Sequence, residues 1–131
     1  MIISKIDGGM GNQMFQYAYG FSLSKKNKTA MAIEHHAYAW RARSYQLDNF
    51  NITATVLDFP VAKKNTKISK LVAEIKRRKL LLLNYRTKQV YEDRNGIYSF
   101  HREFEELSGE NLYLDGFFQS WKYFEWCKDD I

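Results

Sequence analysis

The chain opens with Ile2, Ile3 and Ile6, a short β-branched run halted by Asp7-Gly8-Gly9, which is the pattern of a buried strand ending in a tight loop. Beyond the loop, Met14, Phe15, Ala18, Phe21 and Ser22 recur at three- and four-residue spacing. They predict one apolar stripe on a helix that starts at Asn12, its N-cap, and runs to about Lys26. Lys25, Lys26 and Lys28 suit the negative pole of that helix, and Asn27 its left-handed exit. A second strand is predicted over residues 29–33. Strand, glycine loop, helix and strand in that order make a βαβ unit of a parallel sheet, whose loop lies at the carboxyl edge where ligands bind.

The pattern weakens between His35 and Phe59, where Tyr45, Leu47, Phe50 and Ile52 suggest an irregular segment held down by aromatics and no regular element. From Thr66 to about Leu83, Ile68, Leu71, Val72 and Ile75 keep helical spacing while Lys67, Lys70, Lys76, Arg77 and Lys79 take the other faces. This predicts a basic amphipathic helix. The turn Arg94-Asn95-Gly96 precedes the run from Ile97 to Phe104, and Leu112-Tyr113-Leu114 reads as a strand ending at Asp115-Gly116. The last stretch reads as a helix capped by Ser120, with Tyr123, Phe124 and Cys127 on its buried side. The expected fold is therefore α/β: one Rossmann-like domain over residues 1–131, with a parallel sheet and flanking helices.

With 131 residues, 45% hydrophobic and 16% aromatic, and a single proline, the chain can build a core and is not a disordered tail. Cys127 is the only cysteine, which excludes an internal disulfide and leaves no short-spaced partner for a zinc site. His35 and His36 are adjacent, so on a strand they would point to opposite faces; they and Trp40 read first as ordinary packed rings, with stacking on the face of a ligand as the alternative. Without a signal peptide or an apolar run of membrane-spanning length, the expected location is the cytoplasm. The net charge of +5 is uneven. Lys63 to Lys88 holds ten bases against one acid, Glu74, whereas the remainder has ten bases and fourteen acids. That segment reads first as a solvated surface and next as a contact for an anionic membrane surface, at the inner face. Nucleic acid is not expected there, because Tyr85 is its only aromatic residue.

Gly8, Gly9 and Gly11 between a strand and a helix have the geometry of a phosphate loop, but the third glycine of the dinucleotide fingerprint is replaced by Met14 and a Walker Gly-Lys-Ser/Thr is absent. The longer string is more specific. Gly8-Gly9-Met10-Gly11-Asn12-Gln13-Met14-Phe15-Gln16-Tyr17-Ala18 resembles the GGLGNQMFQYA signature of bacterial-type alpha-1,2-fucosyltransferases at ten of eleven positions. Tyr45-Gln46-Leu47-Asp48-Asn49-Phe50-Asn51-Ile52 is similar to the family's YELDxFxI segment, and Tyr113 to Ser120 resembles its YLxGYFQS segment, in family order. The departures are Met10 for leucine, Phe117 for tyrosine, and Trp121 where the family has a charged residue.

The resemblance implies the first half of a GT-B-like glycosyltransferase, which moves L-fucose from GDP-fucose to a galactoside hydroxyl with inversion, without a metal or other cofactor. The donor-binding second half, with its His-x-Arg-Arg-x-Asp motif, is not in this chain, and His101-Arg102-Glu103 does not replace it. The chain is accordingly expected to be inactive alone; a truncated, catalytically dead carbohydrate-binding or membrane-surface domain is the alternative. The resemblance makes Gly8, Gly9, Gly11, Asn12, Gln13, Asp115 and Gln119 the candidate substrate-side residues. Asn12 and Asp7 are the candidates for a part in catalysis. An apolar face made for the missing half would be open to self-association, so a homo-oligomer is one expected partner state.

Overall fold

The computed structural model describes residues 1–35, 43–57, 66–92 and 99–131. Five strands, β1 (Ile2–Ile6), β2 (Met31–His35), β3 (Thr55–Leu57), β4 (Lys88–Tyr91) and β5 (Leu112–Asp115), form one sheet in the order β3-β2-β1-β5-β4. Every pairing is parallel, as the Rossmann-like reading requires. Central β1 pairs Ile2–Ile6 with Met31–His35 on one side and Ile2–Ser4 with Leu112–Leu114 on the other.

Side chains alternate across this sheet, so each face needs its own cover. Helix α1 (Met10–Lys26) covers the face carrying Ile2, Ile6, Met31, Ile33, Leu112 and Leu114, through Tyr17, Tyr19 and Leu23. Helix α2 (Lys67–Leu80), continued by one wide turn over Leu81–Tyr85, lies on the opposite face, where Leu81 meets Ile3, Ala32 and Tyr113. The short helix α3 (Arg102–Glu105) returns to the first face, with Phe104 packed into the cluster around Tyr19 and Phe118. Connections that run toward β3 use the α1 face, and the long jump from β3 to β4 uses the other. A single hand of crossover demands that division.

Several expectations change. Helix α1 begins at Met10, with Gly9 as its N-cap and no side-chain cap, so Asn12 lies inside the first turn. The stripe on α1 is shifted as well: Ala18 and Ser22 are buried as predicted, but Met14 is exposed and Gln13, Gln16, Tyr17 and Leu23 face inward. At its end the left-handed residue is Lys28 (φ 50°), whereas Asn27 (φ −87°) caps through its side chain, which donates to the Leu23 carbonyl at 2.9 Å. Strands β3 and β4 were not predicted; they are short edge strands on which only Val90 is buried. The C-terminal stretch forms two 3-10 turns, over Trp121–Tyr123 and Glu125–Asp130, instead of an α-helix, and Ser120 makes no side-chain cap. Tyr123 and Cys127 are nevertheless buried there.

Helix α2 forms where its spacing predicts it, and the structure settles its orientation: Ile68, Leu71, Val72 and Ile75 are exposed, while Ala73 and Arg77, one of the bases expected on the other faces, are buried. The sheet face beneath α2 explains this, because Glu34 of β2 is fully buried there beside Tyr113. The Tyr113 hydroxyl donates to the Glu34 carboxylate, and the Arg77 guanidinium reaches that hydroxyl at 2.5 Å and the carboxylate at 3.5 Å. A buried carboxylate needs a cation more than it needs another isoleucine. The Arg94-Asn95-Gly96 turn, His36, Trp40, Lys63 and Lys64 lie outside the described residues. Among the described residues no helix is long and apolar enough to cross a membrane.

Candidate functional site

The order β3-β2-β1-β5-β4 sets β5 directly beside β1, although the long jump from β3 to β4 separates them in sequence. In open α/β sheets ligands bind in the crevice outside the carboxyl ends of the strands. The loops that leave β1 and β5 are therefore neighbours, and these are the Asp7-Gly8-Gly9 and Gly116–Gln119 segments.

Three amide side chains of α1 tie this edge together. Gln16 accepts from the Asp7 backbone N–H at 2.8 Å and donates to the Gly116 carbonyl at 2.9 Å, bridging the ends of β1 and β5. Gln119 donates to the Asn12 side-chain oxygen at 2.5 Å. Gln13 turns inward: it donates to the carbonyls of Gly8 (3.0 Å) and Ser44 (2.9 Å) and accepts from the Gln46 N–H (2.9 Å). Tyr17 extends the same brace, its hydroxyl accepting from the Thr53 N–H at 3.1 Å. Both loops need glycine for this closeness. Gly8 has φ +83°, and a Cβ there would lie 2.6 Å from the Asn12 amide nitrogen; a Cβ on Gly116 would lie 2.5 Å from that of Glu92.

Carboxylates crowd the space below the loops. Lys5 pairs with both oxygens of Asp115 at 2.9 Å. Glu92, directly after β4, accepts from the N–H groups of Phe117 and Phe118 through one oxygen, at 2.7 Å each. That clamp holds Phe118 at φ +49°, a left-handed conformation costly for a bulky residue. The second Glu92 oxygen is buried and has no hydrogen-bond partner among the described residues. Burial pushes the Glu92 carboxyl above its ordinary range, although the two N–H donors oppose the shift. Lys5, Asp7, Gln16, Glu92, Asp115 and Phe117 enclose a cavity of about 30 Å³, room for a single water-sized group.

Chemically, three carboxyl groups and neutral amides around one lysine suit a hydroxyl, which can donate to a carboxylate and accept from an amide. The same set repels a diphosphate. On the outer side of the loop, the Arg43 guanidinium lies against Gly9, 3.1 Å from where a Cβ would stand.

The fold thus gathers Asp7, Gly8, Gly9, Asn12, Asp115 and Gln119 at one edge. Gly11 faces elsewhere: a Cβ there would meet nothing within 4 Å, and it borders a separate groove of about 750 Å³ with Met14, Phe15, Phe50 and Phe124. Asp115 is held by Lys5, and Gln13 by backbone groups, so both act on the architecture of the edge. Lys5, Gln16 and Glu92 escaped the sequence reading. Gln16 stood inside the quoted signature, but Glu92 follows a strand too short to be recognised. His35 stacks on Tyr45 with ring centroids 4.3 Å apart. Among the described residues no group of three or more His, Cys, Asp or Glu is placed to hold a metal ion. No family model, curated protein or solved structure matches the chain.

Proposed function

We propose that this chain is the acceptor-side half of an inverting, GT-B-like alpha-1,2-fucosyltransferase that uses GDP-fucose. One observation carries the reading: the three segments that resemble the family, far apart in sequence, meet at the carboxyl edge of β1 and β5. Their own residues make the ties, Gln16 to Gly116, Asn12 to Gln119 and Gln13 to Gln46. Amides that unite a signature in space explain why that signature is amide-rich.

The chemistry follows from the same groups. A galactoside hydroxyl seated between the glycine loop and the small cavity loses its proton to a carboxylate as its oxygen attacks the fucose anomeric carbon. The bond to the GDP phosphate breaks on the opposite face, and GDP leaves with the electron pair. Glu92, with a second oxygen that has no hydrogen-bond partner among the described residues and a raised affinity for a proton, is the candidate base beside Asp7. Asn12, fixed by Gln119, would orient the acceptor. Diphosphate binding would fall to a second half carrying the arginine motif.

Two measurements test this. Titrated with a methyl galactoside, the 131-residue chain should show amide shifts at residues 8–13 and 116–119; comparable shifts with GDP alone would put the donor in this half and overturn the assignment. In a polypeptide that includes the donor half, Asn12→Ala and Glu92→Gln should each lower kcat/KM about a hundredfold with the fold intact. Unchanged turnover removes that residue from the mechanism.

A further inference from the structure

Helix α2 has two faces of opposite logic. Its inner face is narrow and polar, held to the sheet by Ala73, Arg77 and, one turn on, Leu81. Its outer face carries Ile68 (76% exposed), Leu71 (61%) and Ile75 (56%), with Val72 beside them. At 100° per residue these four fall in one stripe, about a quarter to a third of the circumference. Lys76 lies along one margin of the stripe, Lys67 and Arg78 lie along the other, and Lys79 sits within its C-terminal turn. The helix holds six bases against one acid, and that acid, Glu74, is taken up by Arg77 and Arg78 at 2.7 and 2.9 Å. The N-terminus is self-sufficient, because Thr66 and Ser69 form a reciprocal capping box that asks nothing of the core.

We infer that α2 is an interfacial helix that lays this stripe into an anionic lipid surface. An apolar strip bordered on both sides by cations matches a leaflet of acyl chains beneath negative headgroups: the strip enters the boundary and the lysine stems reach up to the phosphates. Charge argues against the other occupant near at hand. A second copy packed stripe to stripe would bring Lys67, Lys76, Arg78 and Lys79 of both chains together with no acid to separate them. The helix lies across the sheet from α1, so lipid contact leaves the glycine loop and the Glu92 cavity uncovered by it. The inference is independent of what reaction that edge performs.

Co-sedimentation of the whole chain with vesicles tests it. The chain should pellet with phosphatidylcholine vesicles containing about 30% phosphatidylglycerol, and the bound fraction should fall as salt is raised to about 0.5 M. The double variant Leu71→Ser, Ile75→Ser should lower the partition coefficient about tenfold or more, and Lys76→Glu with Lys79→Glu should do the same. Circular dichroism melts of the variants, unchanged from the parent, establish that the loss is not unfolding. Equal binding to pure phosphatidylcholine, or full binding by the Leu71→Ser, Ile75→Ser variant, overturns the proposal. So does a monomer that binds neither vesicle, which leaves the stripe to another polypeptide. A dimer in sedimentation equilibrium that the serine variant returns to monomer assigns the stripe to a second copy instead, and also overturns it.

Discussion

Two glutamates of this chain show how burial and pairing pull a carboxyl in opposite directions. Glu92 is driven upward by burial from an ordinary 4.5, whereas Glu74 is held at about 2, chiefly by its hydrogen bond from Arg77. The signs of their effects on stability differ accordingly. The folded chain holds the Glu92 proton more tightly than the unfolded chain does, so this group costs stability as pH rises above 4.5 through its folded value. Glu74 contributes above 4.5, and that contribution is lost as pH falls toward about 2. Urea melts across this range should therefore show Glu92→Gln gaining on the parent as pH rises toward neutrality, since glutamine keeps an oxygen for the Phe117 and Phe118 N–H groups and carries no charge. A constant difference at every pH would mean that Glu92 does not titrate as a buried acid. Nothing in the sequence around Tyr91-Glu92 marks this residue. Its character arises from the Gly116–Phe118 turn wrapped over it, which lies 25 residues away for the Phe117 contact.

At the scale of the element, α2 separates what periodicity states from what it leaves open. Spacing correctly gave a helix, and Thr66 correctly its start, but a helical stripe says only that one face is apolar, not which way that face is turned. The sheet beneath decided. Glu34 and the Tyr113 hydroxyl occupy the spot α2 covers, so Arg77 turns inward and carries the isoleucines outward. Denaturation of single variants distinguishes the two orientations. Ile75→Ser and Leu71→Ser should each change stability by no more than about 0.5 kcal/mol, the range for exposed positions. Arg77→Ala should cost about 3 kcal/mol or more, because it strips a buried carboxylate of its cation. A large loss for Ile75→Ser together with a small one for Arg77→Ala would mean the stripe is buried after all. The C-terminal stretch fails in a related way: Ser120, Tyr123 and Cys127 have helical spacing, but 3-10 turns suffice to seat Tyr123 against Tyr19 and Phe100.

Across the whole molecule, stability should follow the sheet outward from its centre. β1 is paired on both sides and buried on both faces, while β3 and β4 are edges with exposed Val56 and Tyr91. Native-state hydrogen exchange should find the amides of β1 and β5 protected at least about tenfold more than those of β3. Protection of β3 equal to that of β1 would contradict the strand order. The βαβ start, the strand at Leu112–Leu114, the glycines of the two loops and the amide-rich string between Asn12 and Gln16 are legible along the chain, because all of these are local: a β-branched run, a 3.6-residue period and a backbone that must turn sharply write themselves into neighbouring residues. The order β3-β2-β1-β5-β4, the inward turn of Arg77 and the meeting of Gln16 with Gly116, of Asn12 with Gln119 and of Glu92 with Phe117 come from packing in three dimensions. These are contacts between segments tens of residues apart, chosen by which buried polar group could find a partner, and no local period records that choice.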